Sequence, residues 1–238
     1  MTIAGHTEGD LAAVVTDESG PGGLTTVSTV DNTARRRTRY HAVKRSMDLA
    51  GAGMGLLVLS PVFLLLAVLI KLEDARGPVF FHQTRVGKDE KEFRMYKFRS
   101  MIADAENQLD HLLGENEIKG AMFKMKEDPR ITRIGRVIRK TSLDELPQLL
   151  NVLRGEMSLV GPRPPLPREV ATYTEYDKQR LAVTPGCTGL WQVSGRNGLT
   201  FDQMVELDLS YIKRRSIWLD CWIVLRTVAV LFGSKNAY

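Results

Sequence analysis

The rhythm of apolar and polar positions changes several times along the chain, and each change marks a part. Residues 1–34 hold Thr, Gly, Asp and Ser with few large apolar groups, the texture of a disordered tail. From Leu49 to Ile70 no charge occurs, and about 22 residues at 1.5 Å each make a helix of roughly 33 Å. Val79, Phe80 and Phe81 then open an extended run, Gly87-Lys88-Asp89 turns it, and Phe93, Met95, Tyr96 and Phe98 return among charges as a paired strand. Residues 102–113 read as a short helix and 114–120 as a loop. Asp128-Pro129 reads as the cap and first turn of a helix whose Ile131, Ile134, Val137 and Ile138 share one face, with Arg133, Arg136 and Arg139 on the other. Ser142 and Glu145 form a capping box for the next helix, with Pro147 in its first turn. Leu146, Leu149, Leu150 and Leu153 carry that helix to Gly155.

Residues 169–181 are polar and helical in pattern, and Pro185 to Gly189 is a turn leading into Leu190-Trp191-Gln192-Val193 as a short strand. Thr200 with Gln203 is another capping box. Ser216 caps a last segment in which Trp218 and Trp222 stand one turn apart. Lys213, Arg214 and Arg215 just before it suit a helix lying in the headgroup layer, while a core-packed helix fits the same pattern. Together the pattern predicts an α+β fold that is mostly helical, with a small β-hairpin.

The apolar run is long enough to span a bilayer. Its flanks argue otherwise: Arg35, Arg36, Arg37, Arg39, Lys44 and Arg45 precede it, and Lys71, Arg76, Arg85 and Lys88 follow. A spanning helix shows such a bias on one side only. Ser60-Pro61 interrupts its middle; Pro61 has no N–H for the Leu57 carbonyl, and the Ser60 hydroxyl can partly repair that ladder. A re-entrant helix satisfies both features. The expected division is a basic-ended disordered tail (1–39), a re-entrant membrane helix (40–73) and a cytosolic, membrane-associated domain (74–238).

The chain's 238 residues allow one full domain with attachments, and a net charge of +5 points to an anionic partner without choosing among nucleic acid, acidic lipid and phosphate. No nucleic-acid-binding signature occurs. Cys187 and Cys221 lack metal-ligand spacing and read as reduced thiols. Nothing at the start resembles a secretory signal.

Between Asp128 and Pro165 the chemistry concentrates. Asp144 and Glu145 are adjacent acids at a helix start, Arg139 and Lys140 lie just upstream, and Gly161-Pro162-Arg163-Pro164-Pro165 is a stiff loop bearing one more arginine. Guanidinium forks match phosphate oxygens two at a time, and Mg²⁺ prefers one or two carboxylates plus substrate phosphates. The set suits Mg²⁺-assisted phosphoryl transfer, with a carboxylate nucleophile as one route. Lys97 and Arg99 alternate with Phe98, so both can face a phosphate-rich cleft; a solvated strand looks the same. Residue by residue, helix capping and a solvated basic face explain these positions equally well.

At these residues the chain resembles the bacterial polyprenyl-phosphate sugar-1-phosphate transferases, the monotopic phosphoglycosyl transferases. The matching text is RKTSLDELPQLLNVLRGEMSLVGPRP, supported by GPVFFHQTRVG, YKFRSM and the PGxTGLWQVSGRN pattern; His82 departs from the basic residue expected there. The resemblance covers 41–236. It implies that Asp144 attacks a UDP-sugar and forms a covalent phosphosugar, that Glu145 (with Asp144) holds Mg²⁺, and that Arg139 binds phosphate. Arg163, Lys97, Arg99 and Arg196 are the further phosphate, nucleotide or sugar contacts to be tested. It also implies a helix broken at Ser60-Pro61 and a Lys-Arg-x-x-Asp signature at Lys44, Arg45 and Asp48. Those three read either as contacts to a polyprenyl phosphate head group or as interfacial snorkelling.

The implied partners are a UDP-sugar, polyprenyl phosphate and membrane lipids, with no nucleic acid, at the cytoplasmic face of a bacterial inner membrane. The reaction is transfer of a sugar 1-phosphate to undecaprenyl phosphate with release of UMP, the start of surface-glycan synthesis. Ser194-Gly195-Arg196 leans towards galactose or glucose. The rivals are a membrane phosphatase and a non-enzymatic basic membrane-surface module.

Overall fold

The computed structural model describes residues 25–105, 107–108, 128–195 and 198–233, leaving aside the side chains of 25–37 and 231–233. Contacts divide the chain into two units, Met1–Arg39 and Tyr40–Tyr238, and the elements that position the site belong to the second. Residues 1–24 of the expected disordered tail lie outside the described residues, and from Thr25 the backbone is helical.

The helix break expected at Ser60-Pro61 does not appear: helix α1 (Thr25–Glu73) continues through Pro61. The Ser60 hydroxyl donates to the Leu57 carbonyl at 2.8 Å, as the Ser-Pro pair predicts. The part from Thr38 to Glu73 is long and apolar enough to cross a membrane. One side is covered by the rest of the chain, through Ala52, Val62, Phe63, Leu66 and Ile70. The other side leaves Met54, Leu57, Val58, Leu64, Leu65 and Val68 exposed. Gly51 permits the close approach: a Cβ there would stand 2.7 Å from Leu159 Cδ1.

Strands β1 (Phe80–Val86) and β2 (Glu92–Phe98) form the expected antiparallel hairpin, in register from Phe80 against Phe98 to Val86 against Glu92. The expected helix over 102–113 shows turns at 103–105 and 107–108 in place of helix, and residues 106 and 109–113 lie outside the described residues. Helix α2 is Arg133–Lys140, capped by the Thr132 side chain, which accepts from Gly135 N–H. Asp128 is not the cap. Its carboxylate instead takes Arg130, by backbone and guanidinium, inside the preceding turn. A 3-10 turn (Leu143–Glu145) and helix α3 (Gln148–Arg154) come next, α3 ending at Gly155 with φ 82°.

The next strand, β3 (Ser158–Val160), pairs in parallel with β4 (Gly186–Thr188), a second sheet that no alternation announced. Between them lie two single-turn helices, α4 (Pro167–Val170) and α5 (Glu175–Lys178), and a 3-10 turn, where one polar helix was expected. Leu190–Val193 is not a strand: it belongs to helix α6 (Leu190–Ser194). Helix α7 (Phe201–Arg214) carries the expected Thr200–Gln203 capping box. Helix α8 (Ile217–Gly233) starts at Ser216, whose Oγ accepts from Leu219 N–H.

The core-packed reading holds for one face of α8, and the opposite face is left bare. Ile223 and Asp220 are buried, whereas Trp218 is 87% exposed and Trp222, Leu225 and Val228 extend the same bare stripe. Two apolar clusters lie along α1, and a third joins Val160, Val193, Tyr211 and Ile223. Ala52 packs with Met95, Val152 and Met157. Leu66 and Ile70 pack with Phe98 and Ile138. Burying side chains of this size contributes about 1.5–3 kcal/mol each, so the long apolar helix is also a core element of the domain after it.

Candidate active site

The capping box at Ser142 does not form. Ser142 is left-handed (φ 57°) and its side chain caps nothing, so the chain turns sharply after α2. That turn places Asp144 under α2 and against the hairpin instead of at a solvated helix start. Asp144 is only 8% exposed. Burial pushes its carboxyl up to about 6; Lys97 and Arg139 pull it down, and Glu145 adds to the rise.

Glu145, beside it, accepts from Lys97 Nζ at 2.9 Å and lies 3.6 Å from Arg163 Nη1. Arg139 does not share the solvated face of Arg133 and Arg136. It is half-buried, and its Nη1 is buried without a hydrogen-bond partner among the described residues. An unsatisfied guanidinium nitrogen beside a buried carboxylate is costly and fits a phosphate oxygen as its partner. So Asp144, Glu145, Lys97, Arg139 and Arg163 come together.

The others do not join them. Arg99 is two positions beyond Lys97, but its guanidinium donates to the Asp74 carboxylate (2.8 Å) and backbone carbonyl (2.6 Å). A Cβ at Gly77 would sit 1.7 Å from Arg99 Nη1, so the glycine there makes room for this clamp. Lys44 donates to Asp220 at 3.0 Å. Arg45 donates to the Val152 and Leu153 carbonyls at 2.6 and 2.9 Å, where the negative end of α3 favours a cation. Asp48 accepts from Ser158 Oγ and Leu159 N–H at 3.0 and 2.9 Å. The Lys-Arg-x-x-Asp signature therefore ties α1 to α8, α3 and β3. At the far end of α1, the Glu73 carboxylate accepts from Arg133 and Ile134 N–H, at the start of α2. Arg196 lies outside the described residues.

Several residues that set this geometry were not apparent in the sequence. Asn151, fully buried, accepts from Tyr96 N–H at 3.0 Å and donates to the Arg94 carbonyl and Glu156 at 2.7 Å each, holding α3 on β2 beside Lys97. Its only signal was a polar residue among Leu149, Leu150, Val152 and Leu153. Asp220, a lone acid within the apolar α8, is buried among Tyr40, Lys44 and Tyr211, all of which donate to it. Arg180 and Asp208 form a buried ion pair, with Tyr173 on the other arm of the guanidinium. The Arg163 loop is held by its own carbonyls: Pro162 O accepts from Gly186 N–H at 2.8 Å and Pro165 O from Val86 N–H at 2.9 Å.

Among the described residues no cluster of three or more His, Cys, Asp or Glu side chains forms a metal cage. The Asp144–Glu145 pair, with Lys97 and Arg139 beside Asp144, still fits Mg²⁺, which takes one or two carboxylates and fills its shell with phosphate oxygens and water. Cys187, half-buried with Glu145 and Asp48 nearby, has its thiol pushed far up by burial.

The bacterial sugar transferase family model matches residues 39–234. The galactosyl transferase CpsE of Streptococcus agalactiae is 51% identical over 195 residues, 82% of this chain and 43% of its own length. The undecaprenyl-phosphate galactose phosphotransferase of Salmonella typhimurium is 43% identical over 212 residues, covering 87% of this chain and 44% of its own length. The exopolysaccharide production protein ExoY of Rhizobium meliloti is 41% identical over 199 residues, covering 82% of this chain and 88% of its own length. The chain thus spans less than half the length of the first two relatives and nearly the whole of the third.

Proposed function

The chain belongs to the bacterial sugar transferase family, and on that premise we propose that it moves a hexose 1-phosphate from a UDP-hexose to an undecaprenyl-type polyprenyl phosphate. The work is done at the cytoplasmic face of a bacterial inner membrane, as the first step of an exopolysaccharide or related glycan. The observation that carries this reading is Asp144, a carboxylate drawn out of water with Lys97 and Arg139 in its field. The relatives' names, which include galactose and undecaprenyl phosphate, support the substrates.

An Asp144 oxygen attacks the β-phosphorus of the donor. The bond from that phosphorus to the bridging oxygen breaks, and UMP leaves with the electron pair. An oxygen of the polyprenyl phosphate then attacks the same phosphorus, and the acyl-phosphate bond breaks to return the Asp144 carboxylate. Lys97, Arg139 and Arg163 offset the charge that gathers on the phosphate oxygens. Glu145, with Asp144, would hold Mg²⁺, which when bound supplies further charge neutralisation on the diphosphate.

The re-entrant placement of α1 belongs to this reading. Lys44 and Glu73, tied to the same unit, are separated by roughly 44 Å along an ideal helix, and a span would send them to opposite faces. The bare apolar side of α1 and the Trp218–Trp222 stripe of α8 are the surfaces offered to lipid.

The test is purified chain in nanodiscs with a panel of UDP-sugars, undecaprenyl phosphate and Mg²⁺, reading UMP. UMP release that requires the lipid phosphate and is abolished by Asp144→Asn supports the proposal. Silence with every donor, an unimpaired Asp144→Asn, or a labelled sugar phosphate trapped on another residue overturns it. Inorganic phosphate released without lipid marks a phosphatase.

A further inference from the structure

Arg85 sits on β1 and is only 8% exposed. Its Nη1 donates to the Pro164 carbonyl at 3.0 Å and its Nη2 to Gln83 Oε1 at 2.8 Å, while its Nε is buried with no hydrogen-bond partner. Both acceptors are neutral, and among the described residues no carboxylate pairs with it. A buried guanidinium left in that state is expensive. Burial is the main force that holds its pKa down to about 10; the Arg163 charge adds to it and Glu169 and Glu145 oppose it.

A cation this costly is informative about the loop it serves. Pro164 is bonded directly to Arg163, so the Arg85 fork holds the peptide next to that arginine. Val86 N–H holds Pro165 O from the same strand, and Gly186 N–H holds Pro162 O from the opposite side. The loop is thereby fixed on both flanks of Arg163, whose Nη1 points at Glu145. Proline at 162, 164 and 165 removes backbone donors and fixes φ, which leaves the carbonyls as the loop's handles.

We propose that Arg85 is the positioning residue of the Arg163 loop, presenting Arg163 to the donor's diphosphate with the ordering already done. The inference rests on the sugar-phosphate transfer read for this site. It deepens that reading by separating the donor seat, held by Arg85, from the lipid seat. Preorganised contacts lower the ordering cost of binding, so the loss of Arg85 weakens the donor alone.

The experiment uses the full chain in nanodiscs and steady-state kinetics for both substrates. Arg85→Lys keeps the charge and loses the fork. It raises KM for the UDP-hexose about tenfold, the effect of one charge-assisted hydrogen bond, and leaves KM for undecaprenyl phosphate unchanged. Arg163→Gln gives a similar rise, and Arg85→Lys added to it worsens KM by no more than about twofold, because the two act through one contact. Rises that multiply in the double variant, or a lower melting temperature with unchanged donor KM, overturn the proposal. If Arg85→Lys does not fold, Gln83→Met removes one anchor of the fork: a donor-specific rise supports the positioning role, and an unchanged donor KM rejects it. A wild type that yields no UMP from any UDP-hexose removes the underlying reading instead, and the positioning role with it.

Discussion

The Ser60 hydroxyl satisfies the Leu57 carbonyl at 2.8 Å, the same carbonyl that Pro61 has no N–H to reach. The pair works as a unit: the proline opens the ladder and the serine closes it locally, on the exposed side of α1, where acyl chains would offer no replacement donor under the proposed lipid placement. Ser60→Ala should leave that carbonyl unpaired and cost about 1–3 kcal/mol in nanodiscs. Adding Pro61→Ala restores a backbone N–H and should recover most of the loss. Thermal unfolding of both variants in a lipid environment checks this, and losses that simply add contradict the repair.

Asp144 makes a pH prediction with a definite sign. Its carboxyl is pushed up to about 6 by burial, and in the proposed reaction only the ionised form attacks phosphorus. The kcat/KM profile should therefore fall on the acid side through about pH 6. Lys97→Met removes the cation that most lowers the carboxyl, so the acid limb should move to higher pH. It should also lower the rate at pH 8 by at least about tenfold through lost charge stabilisation. An acid limb that stays in place in Lys97→Met would separate Lys97 from Asp144.

Arg45 and Asp48 are bonded to backbone groups of α3 and β3, which predicts a structural phenotype. Arg45→Ala and Asp48→Ala should each destabilise the protein by about 1–3 kcal/mol, the first through two lost charge-assisted bonds to the end of α3 and the second by leaving the buried Ser158 hydroxyl and the Leu159 N–H without their acceptor. KM for the lipid phosphate measured on the folded fraction should be unchanged. A raised lipid KM at normal stability would return these residues to the lipid head group.

Range decided what was legible in the sequence. The apolar run, the hairpin with its turn at Gly87, the helix ending at Gly155 and the Thr200–Gln203 cap are local patterns, and each appears in the structure. The adjacent acids and the arginine between prolines were visible as chemistry. Where the residues alone misled, the outcome was decided at a distance. Ser142 fits a capping box until the backbone turns left-handed to tuck Asp144 beneath α2. Arg99 looks like a partner of Lys97 until Asp74 claims it from the end of α1. The parallel β3–β4 contact joins residues almost thirty apart, with three residues in each strand, too few to show a period. Asn151 and Asp220 are single polar residues in apolar company, and periodicity treats those as noise.

Asn151 supplies a prediction of its own. Its amide mimics a neighbouring strand, accepting from Tyr96 N–H and donating to the Arg94 carbonyl, while the second amide proton goes to Glu156. Asn151→Ala leaves all of these groups buried or half-buried without the partner and should cost about 2–4 kcal/mol. Asn151→Asp keeps the acceptor for Tyr96 but turns lone pairs towards the Arg94 carbonyl and sets a carboxylate against that of Glu156. Burial and like charge raise the new carboxyl's folded pKa above its unfolded value, so its proton is held more tightly in the native state. Its penalty is then small at low pH and grows as pH rises through that folded pKa. Melting temperatures of Asn151→Asp measured between pH 5 and pH 8 should fall relative to wild type as pH increases, whereas the deficit of Asn151→Ala should stay level. Parallel curves for the two variants would mean that Asn151 fills space and that its hydrogen bonds do not hold α3 on β2.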